Sequence, residues 1–231
     1  MFGLLKNFHL DALSRPHHTS ATFAQTSQTS SVSKLMKTRD RILTTSLLLF
    51  NDKGEPNITT VDVAHEMDIS PGNLYYHFRN KDDIIHELFQ QFERSMSETM
   101  EASAASFLSL GDHQLMLQLI FDTTWEYRFF YRDLNHLISK DIQLKRRFLR
   151  LVDKQKKATW QVLKSYVAHG ALAVNTATLE HLVEQIIFIL TFWINYQLIH
   201  TTPNKDTIIT TGMQHINEIL LPYFNAVQTA P

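Results

Sequence analysis

Apolar residues recur at three- and four-residue spacing along most of this chain, and strand-like alternation never runs beyond four residues. The pattern predicts an all-α protein. Ile42, Leu43, Ser46, Leu47 and Phe50 form the first stripe and predict a helix over residues 34–53, ended by Gly54 and Pro56. Val61, Val63, Ala64 and Met67 predict a short helix facing inward. Leu74 and Phe78, four apart, predict another over residues 71–78. Ile84, Ile85, Leu88, Phe89, Phe92 and Met96 mark a fourth helix from residue 81 that fades over residues 102–106. A break at Gly111 and Asp112 precedes an aromatic-rich helix over residues 113–131. A short segment over 134–139, a long amphipathic helix over 143–168 stopped by Gly170, a very apolar helix over 178–200 and a last one over 206–224 complete the chain.

The punctuation is densest over residues 59–81, TTVDVAHEMDISPGNLYYHFRNK. Thr59 is placed to cap a helix, with Asp62 three residues on as an acidic capping-box partner. Asp68 and Ile69 make a turn. Ser70 then serves as N-cap and Pro71 as first helical residue, where a missing N–H costs nothing. Asn80 caps the next helix, with Asp82 and Asp83 in its favourable first turn. A helix of eight residues is unstable alone in water, so the second short helix must be held by packing through Leu74 and Phe78. Two short helices about a tight turn make a helix-turn-helix, whose second helix is a candidate reader of a DNA major groove.

Composition narrows the alternatives. In 231 residues, 44% hydrophobic and 19% charged, the chain can build a sizeable core. No cysteine is present, which excludes disulfides and thiolate metal sites. The formal net charge is −1, and residues 34–94 hold eight basic against ten acidic residues. Any nucleic-acid contact must therefore rest on a few well-placed groups rather than on a basic field. Residues 1–33 read as a flexible tail, rich in Ser, Thr and Gln over 14–33, with Met36 as a possible internal start. The longest apolar run, residues 186–194 broken by Thr191, falls well short of the ~18 residues of a membrane span, and the first residues make a poor signal peptide. A cytoplasmic protein without a membrane partner is expected. The chain has no P-loop, no dinucleotide-binding glycine turn and no GxSxG. His181 near Glu180 and Glu184, or His65 beside Glu66, makes no HExxH. No catalytic residue, metal or cofactor is expected, and the chain does not read as an enzyme. The basic run Lys145, Arg146, Arg147, Arg150, Lys154, Lys156 and Lys157 reads as the solvated side of its helix.

Ile58-Thr59-Thr60-x-x-x-Ala64 and Gly72-Asn73-Leu74-Tyr75-Tyr76-His77-Phe78-x-Asn80-Lys81, set before a long connecting helix, resemble the TetR family of bacterial transcriptional regulators. The motif covers roughly residues 34–96; the remainder is similar only in length and helical character, and the long tail departs from the family pattern. The resemblance implies a three-helix DNA-binding domain over residues 34–80 and a helical effector-binding and dimerisation domain over 81–231. It implies a regulator, more commonly a repressor, that binds a palindromic double-stranded DNA operator as a homodimer and is released by a small hydrophobic effector. The alternative is a same-fold architectural or protein-interaction factor without such an effector.

By the same resemblance, Thr60 and the start of the recognition helix touch phosphates, Tyr75, Tyr76 and His77 lie on the DNA backbone or groove, and Lys81 anchors a phosphate. Asn73 is the base-edge reader, since an amide pairs bidentately with adenine. Gly72 lets the helix start approach the DNA closely. Trp125, Phe129 and Trp193 are the candidates for lining an apolar effector pocket. The helices over 178–200 and 206–224 are expected to pair with a second copy in a four-helix bundle. Ile186, Ile187, Leu190, Trp193 and Ile194 offer more apolar surface than one face of a monomer uses.

Overall fold

The computed structural model describes residues 37–104, 110–200 and 204–225. The tail over residues 1–33 and the start of the predicted first helix lie outside them. Helices occur in the order α1 (Thr38–Lys53), α2 (Thr60–Glu66), α3 (Pro71–His77), α4 (Lys81–Ala104), α5 (Leu110–Glu126), α6 (Phe129–Arg132), α7 (Leu134–Lys140), α8 (Ile142–Ala168), α9 (Thr176–His200) and α10 (Lys205–Leu220). Short 3-10 turns occupy Glu55–Asn57 and Leu221–Tyr223. Among the described residues the β structure is an isolated antiparallel bridge between Leu172 and Phe224. The described residues from Ile42 onward form one compact unit, and the predicted boundary at 80/81 falls in it between α3 and α4. Of the other unit, residues 37–41 are described, and they open α1.

Around α1–α4 most side chains the apolar spacing selects are buried, among them Ile42, Leu43, Phe50, Val63, Ala64, Leu74, Phe78, Ile84 and Leu88, whereas Leu47 is half-buried and Leu49, outside the predicted stripe, is buried. Val61 is a departure, standing 52% exposed on the outer side of α2. With Val63, Ala64 and Met67 already buried, α2 spends its inward face within two turns.

The predicted helix over 113–131 is two helices. α5 ends at Glu126, and α6 restarts at Phe129 after the turn at Tyr127 and Arg128. Its four residues, Phe129-Phe130-Tyr131-Arg132, bury three successive aromatic rings. Phe130 meets Phe89 edge-on at 5.0 Å, and Tyr131 meets Phe148 at 5.7 Å. Phe129 reaches Phe50 of α1 at 5.2 Å. Such pairs contribute beyond simple burial, about 0.5–1.5 kcal/mol each. Three consecutive helical side chains point in three directions, and all three are buried because α6 is surrounded: Phe129 meets α1, Phe130 meets α4 and Tyr131 meets α8.

In the second half, α9 packs against α8 and α10. The span Thr176–Ile199 is long and apolar enough, by length and composition, to cross a membrane, with mean hydropathy 1.5, although its uninterrupted apolar run suggested less. In the fold Leu179, Leu182, Val183, Ile186, Ile187, Leu190 and Ile194 of this helix are buried. The residues first assigned to a subunit interface are therefore mostly interior to the protomer: Ile186, Ile187, Leu190 and Ile194 are buried, and Trp193 donates its indole N–H to the Ile208 carbonyl at 2.8 Å. Apolar side chains left outside are Phe188 (65% exposed), Phe192 (41%), Tyr196 (54%) and Ile199 (79%). Their spacing of four, four and three places them on one stripe of α9.

Candidate nucleic-acid interface

Three local devices fix α2 and α3. Thr59 and Asp62 close a reciprocal capping box: the Thr59 hydroxyl accepts from the Asp62 N–H, and the Asp62 carboxylate accepts from the Thr59 N–H at 2.8 Å. The bonds from the Thr59 side chain and backbone hold the Asp62 carboxyl below the usual carboxylate range. Asp68 carries a positive φ of 54° in the turn, a conformation that Asp tolerates better than most residues. The Ser70 hydroxyl caps α3 by accepting from the Asn73 N–H. Leu74 at 0% and Phe78 at 3% exposure then bolt this seven-residue helix to the core. Pro71, Gly72, Asn73, Tyr75 and Tyr76 of α3 are exposed.

Gly72, Asn73 and Tyr76 are exposed along that outer side, Tyr76 at 85%. A Cβ at Gly72 would meet only the Ser70 hydroxyl, at 3.9 Å, so nothing within the fold demands glycine there. Tyr75, 46% exposed, shares a 3.0 Å hydrogen bond between its phenol and the Thr60 hydroxyl. That bond brings the first residue of α2 and the middle of α3 onto one surface. His77 is half-buried, edge-on to Tyr76 at 5.1 Å. Of the seven predicted contact residues, Gly72, Asn73, Tyr75 and Tyr76 are exposed on α3, Thr60 is joined to Tyr75, and His77 is half-buried against Tyr76.

Lys81 is used otherwise. Its ammonium pairs with Glu55 Oε1 at 2.6 Å and donates to the carbonyls of Glu55 and Ile58, each at 2.9 Å. These three acceptors match its three N–H donors. Glu55 is 1% exposed, and its second oxygen lies 3.6 Å from His136 Nε2. Lys81 thus holds the loop that leads into α2 from within.

Three further side chains, those of Asn51, Arg132 and Asp133, surround this node, and the sequence pattern gave them no role. The Asn51 amide donates to the Glu126 carbonyl at 2.7 Å, and its oxygen accepts from the Phe129 N–H at 3.0 Å. Arg132 donates to the Asn51 carbonyl at 3.0 Å and to the Phe50 carbonyl. Asp133 accepts the Glu55 N–H at 2.8 Å. Gly54, between these groups, has φ 92°, a left-handed conformation that favours glycine. On the other side of α6, the Asn195 amide of α9 donates to the Tyr131 carbonyl at 2.9 Å. The only sequence signal was a polar residue, Asn51, directly after the apolar stripe of α1.

Trp125, Phe129 and Trp193 do not come together. Phe129 is fully buried against Phe50 and Phe130. Trp125 is half-buried beneath the Arg128 guanidinium, 4.5 Å from its ring centre. Trp193 stacks on Tyr196 and lies 4.7 Å from His215, beside Gly212. Two surface concavities, of about 410 and 270 Å³, are lined by other residues, among them Phe188 and Ile219 in the first and Lys157 and Trp160 in the second. Within the second half His113 is 3% exposed with both ring nitrogens unbonded, and burial pushes its imidazole down to about 4. Among the described residues no group of three or more His, Asp or Glu could hold a metal ion.

The chain is similar to known proteins. Residues 42–88 match the family described as bacterial regulatory proteins, tetR family, and residues 91–231 match one described as bacterial transcriptional repressor. A crystal structure of a TetR-family transcriptional regulator from Marinobacter aquaeolei is 34% identical, with a TM-score of 0.77, over 83% of this chain and 93% of that one. The probable HTH-type transcriptional regulator YttP of Bacillus subtilis is 24% identical over 50% of this chain and 55% of its own length. The biofilm operon icaADBC HTH-type negative transcriptional regulator IcaR of Staphylococcus epidermidis is 26% identical over 38% of this chain and 49% of its own. The chain spans about half the length of these curated relatives. With more than half of its residues matched in one family description and its reading helix matched in the other, the chain belongs to the TetR family of bacterial regulatory proteins.

Proposed function

We propose that this chain is a cytoplasmic DNA-binding transcriptional regulator, acting as a repressor on a palindromic operator as a homodimer. The observation that carries the reading is the outer side of α3. Gly72, Asn73 and Tyr76 are exposed there, while the apolar packing of the helix runs through Leu74 and Phe78. Such a helix can enter a major groove without losing the apolar packing that keeps it folded. Asn73 supplies the amide for a base edge. Thr60, Tyr75, Tyr76 and His77 supply hydroxyl and ring N–H groups for phosphates, which position the head without choosing sequence. Lys81 serves this surface from beneath, by holding the loop before α2. The likeness to IcaR, a negative transcriptional regulator, supports repression here.

The exposed stripe Phe188, Phe192, Tyr196 and Ile199 is the surface we assign to the second protomer, because single apolar residues are ordinary on a surface but a contiguous stripe marks association. Release by a small lipophilic effector fits the aromatic interior of α5–α9, where Trp125 and Trp193 remain half-buried. An effector acts by favouring a state whose two heads are wrongly spaced. Selection from a random duplex pool tests the reading. It predicts recovery of a two-fold symmetric site, bound far more tightly than random DNA. Equal binding to both would sink it.

A further inference from the structure

We propose that Asn51, Arg132 and Asp133 form a clamp that sets the orientation of the DNA-reading head, and so the spacing of half-sites the dimer accepts. The inference rests on the two-headed reading above. At the break between α5 and α6 the Glu126 carbonyl and the Phe129 N–H have lost their helical partners, and one side chain of α1, Asn51, satisfies both. The break therefore forms against the head and is held by it. Arg132 returns the contact by gripping the last carbonyls of the buried turn of α1, those of Phe50 and Asn51. Asp133 takes the Glu55 N–H, and Glu55 with Lys81 fixes the loop that ends at Ile58, directly before α2.

These contacts join residues 75 to 82 positions apart. They are directional, whereas the Phe50–Phe129 contact beside them would tolerate sliding. Four residues of α6 thus carry the head on one side and, through the Tyr131 carbonyl and Asn195, the helix with the exposed aromatic stripe on the other. A rigid connection of this kind avoids the ordering cost that a swivelling head would meet on binding two half-sites at once. One inserted base pair moves a half-site by about 3.4 Å along the axis and turns it by roughly 35°. A clamped dimer rejects that displacement, and an unclamped one follows it.

The experiment uses the full chain and duplexes carrying its selected half-sites, with the spacer lengthened or shortened one base pair at a time. Asp133→Ala removes the acceptor for the Glu55 N–H and the carboxylate that Arg132 bonds at 3.1 and 3.2 Å, without removing a helix cap, since the Asp133 side chain makes no capping bond. The expected result is a flattened spacer profile: the preference for the best spacing over its neighbours falls about threefold or more, with affinity at the best spacing also reduced. Asp133→Asn, which can still accept that bond, restores the profile. Arg132→Lys, which keeps the charge but cannot reach both carbonyls, flattens it independently of how well Asp133→Ala folds. Parallel loss at every spacing, with the profile's shape unchanged in both Asp133→Ala and Arg132→Lys, overturns the clamp while leaving the two-headed reading intact. A wild-type chain without any spacing preference overturns both.

Discussion

Lys81→Met separates a lysine that anchors DNA from one that holds the protein together. In the structure this ammonium is 21% exposed and meets a carboxylate that is 1% exposed, at 2.6 Å, with two backbone carbonyls completing its shell. Removing one partner of such a pair strands the other charge, at a cost of about 3–5 kcal/mol when fully buried. The partial exposure of Lys81 puts the expectation at the lower end, about 3 kcal/mol. For a chain of this size each kcal/mol moves the melting midpoint by about 2–4 °C, so the midpoint should fall by roughly 6–12 °C. Thermal melts followed by circular dichroism at one protomer concentration read this directly, the fixed concentration being needed if the folded state is dimeric. Lys81→Met combined with Glu55→Gln should recover about half of the loss, because the stranded charge is gone while the Glu55 and Ile58 carbonyls still lack their donor. A midpoint within about 2 °C of wild type, together with a salt dependence of operator binding reduced by about one phosphate, would refute the reasoning and return Lys81 to the DNA surface.

Three further outcomes follow from the geometry. Phe192→Asp, on the exposed stripe of α9, should convert the dimer to monomers in sedimentation analysis while helicity persists; an unchanged dimer moves the interface elsewhere. Gly212→Ala should destabilise by about 1–3 kcal/mol in urea unfolding, since its Cβ would lie 2.6 Å from Phe121 Cζ and 2.8 Å from Trp193 Cδ1; a wild-type midpoint would show that the two rings can move apart freely. His113 binds its proton less readily when folded, near 4 instead of the ordinary 6.5. Between those values the unfolded chain holds more protons, so stability is complete above 6.5 and falls as pH drops toward 4, by on the order of 3 kcal/mol. His113→Phe should remove that fall, and a melt series with the same slope in both proteins would contradict it.

The sequence made legible whatever is decided locally. The capping box at Thr59 and Asp62, the Ser70-Pro71 restart and the inward Leu74 and Phe78 depend on neighbours within four residues, and each is found as read. The contact residues proposed on α2 and α3 came from the family resemblance rather than from spacing; the short periods account only for which of their neighbours, Leu74 and Phe78, turn inward. The break after Glu126 was invisible because no glycine or proline marks it; the groups that stabilise it come from Asn51, 75 residues away. Lys81 was placed on the surface for a related reason. A lysine at a helix start looks alike whether it meets a phosphate or a buried Glu55, and only the fold brings Glu55 within 2.6 Å. The apolar stretch of α9 gave a correct helix but not its buried side: interior and exposed stripes are both apolar there, so periodicity carried no contrast.

The account stands or falls on the outer side of α3, and Asn73→Ala addresses it most directly. The quantity is the ratio of affinities for the selected operator and for random duplex, measured by fluorescence anisotropy at one salt concentration for wild type and variant. Loss of a bidentate amide–adenine contact is worth about 1–3 kcal/mol, so the ratio should fall by roughly five- to a hundredfold while random-DNA affinity stays put. An equal loss on both duplexes, or none on either, would contradict the claim that this helix reads sequence through Asn73.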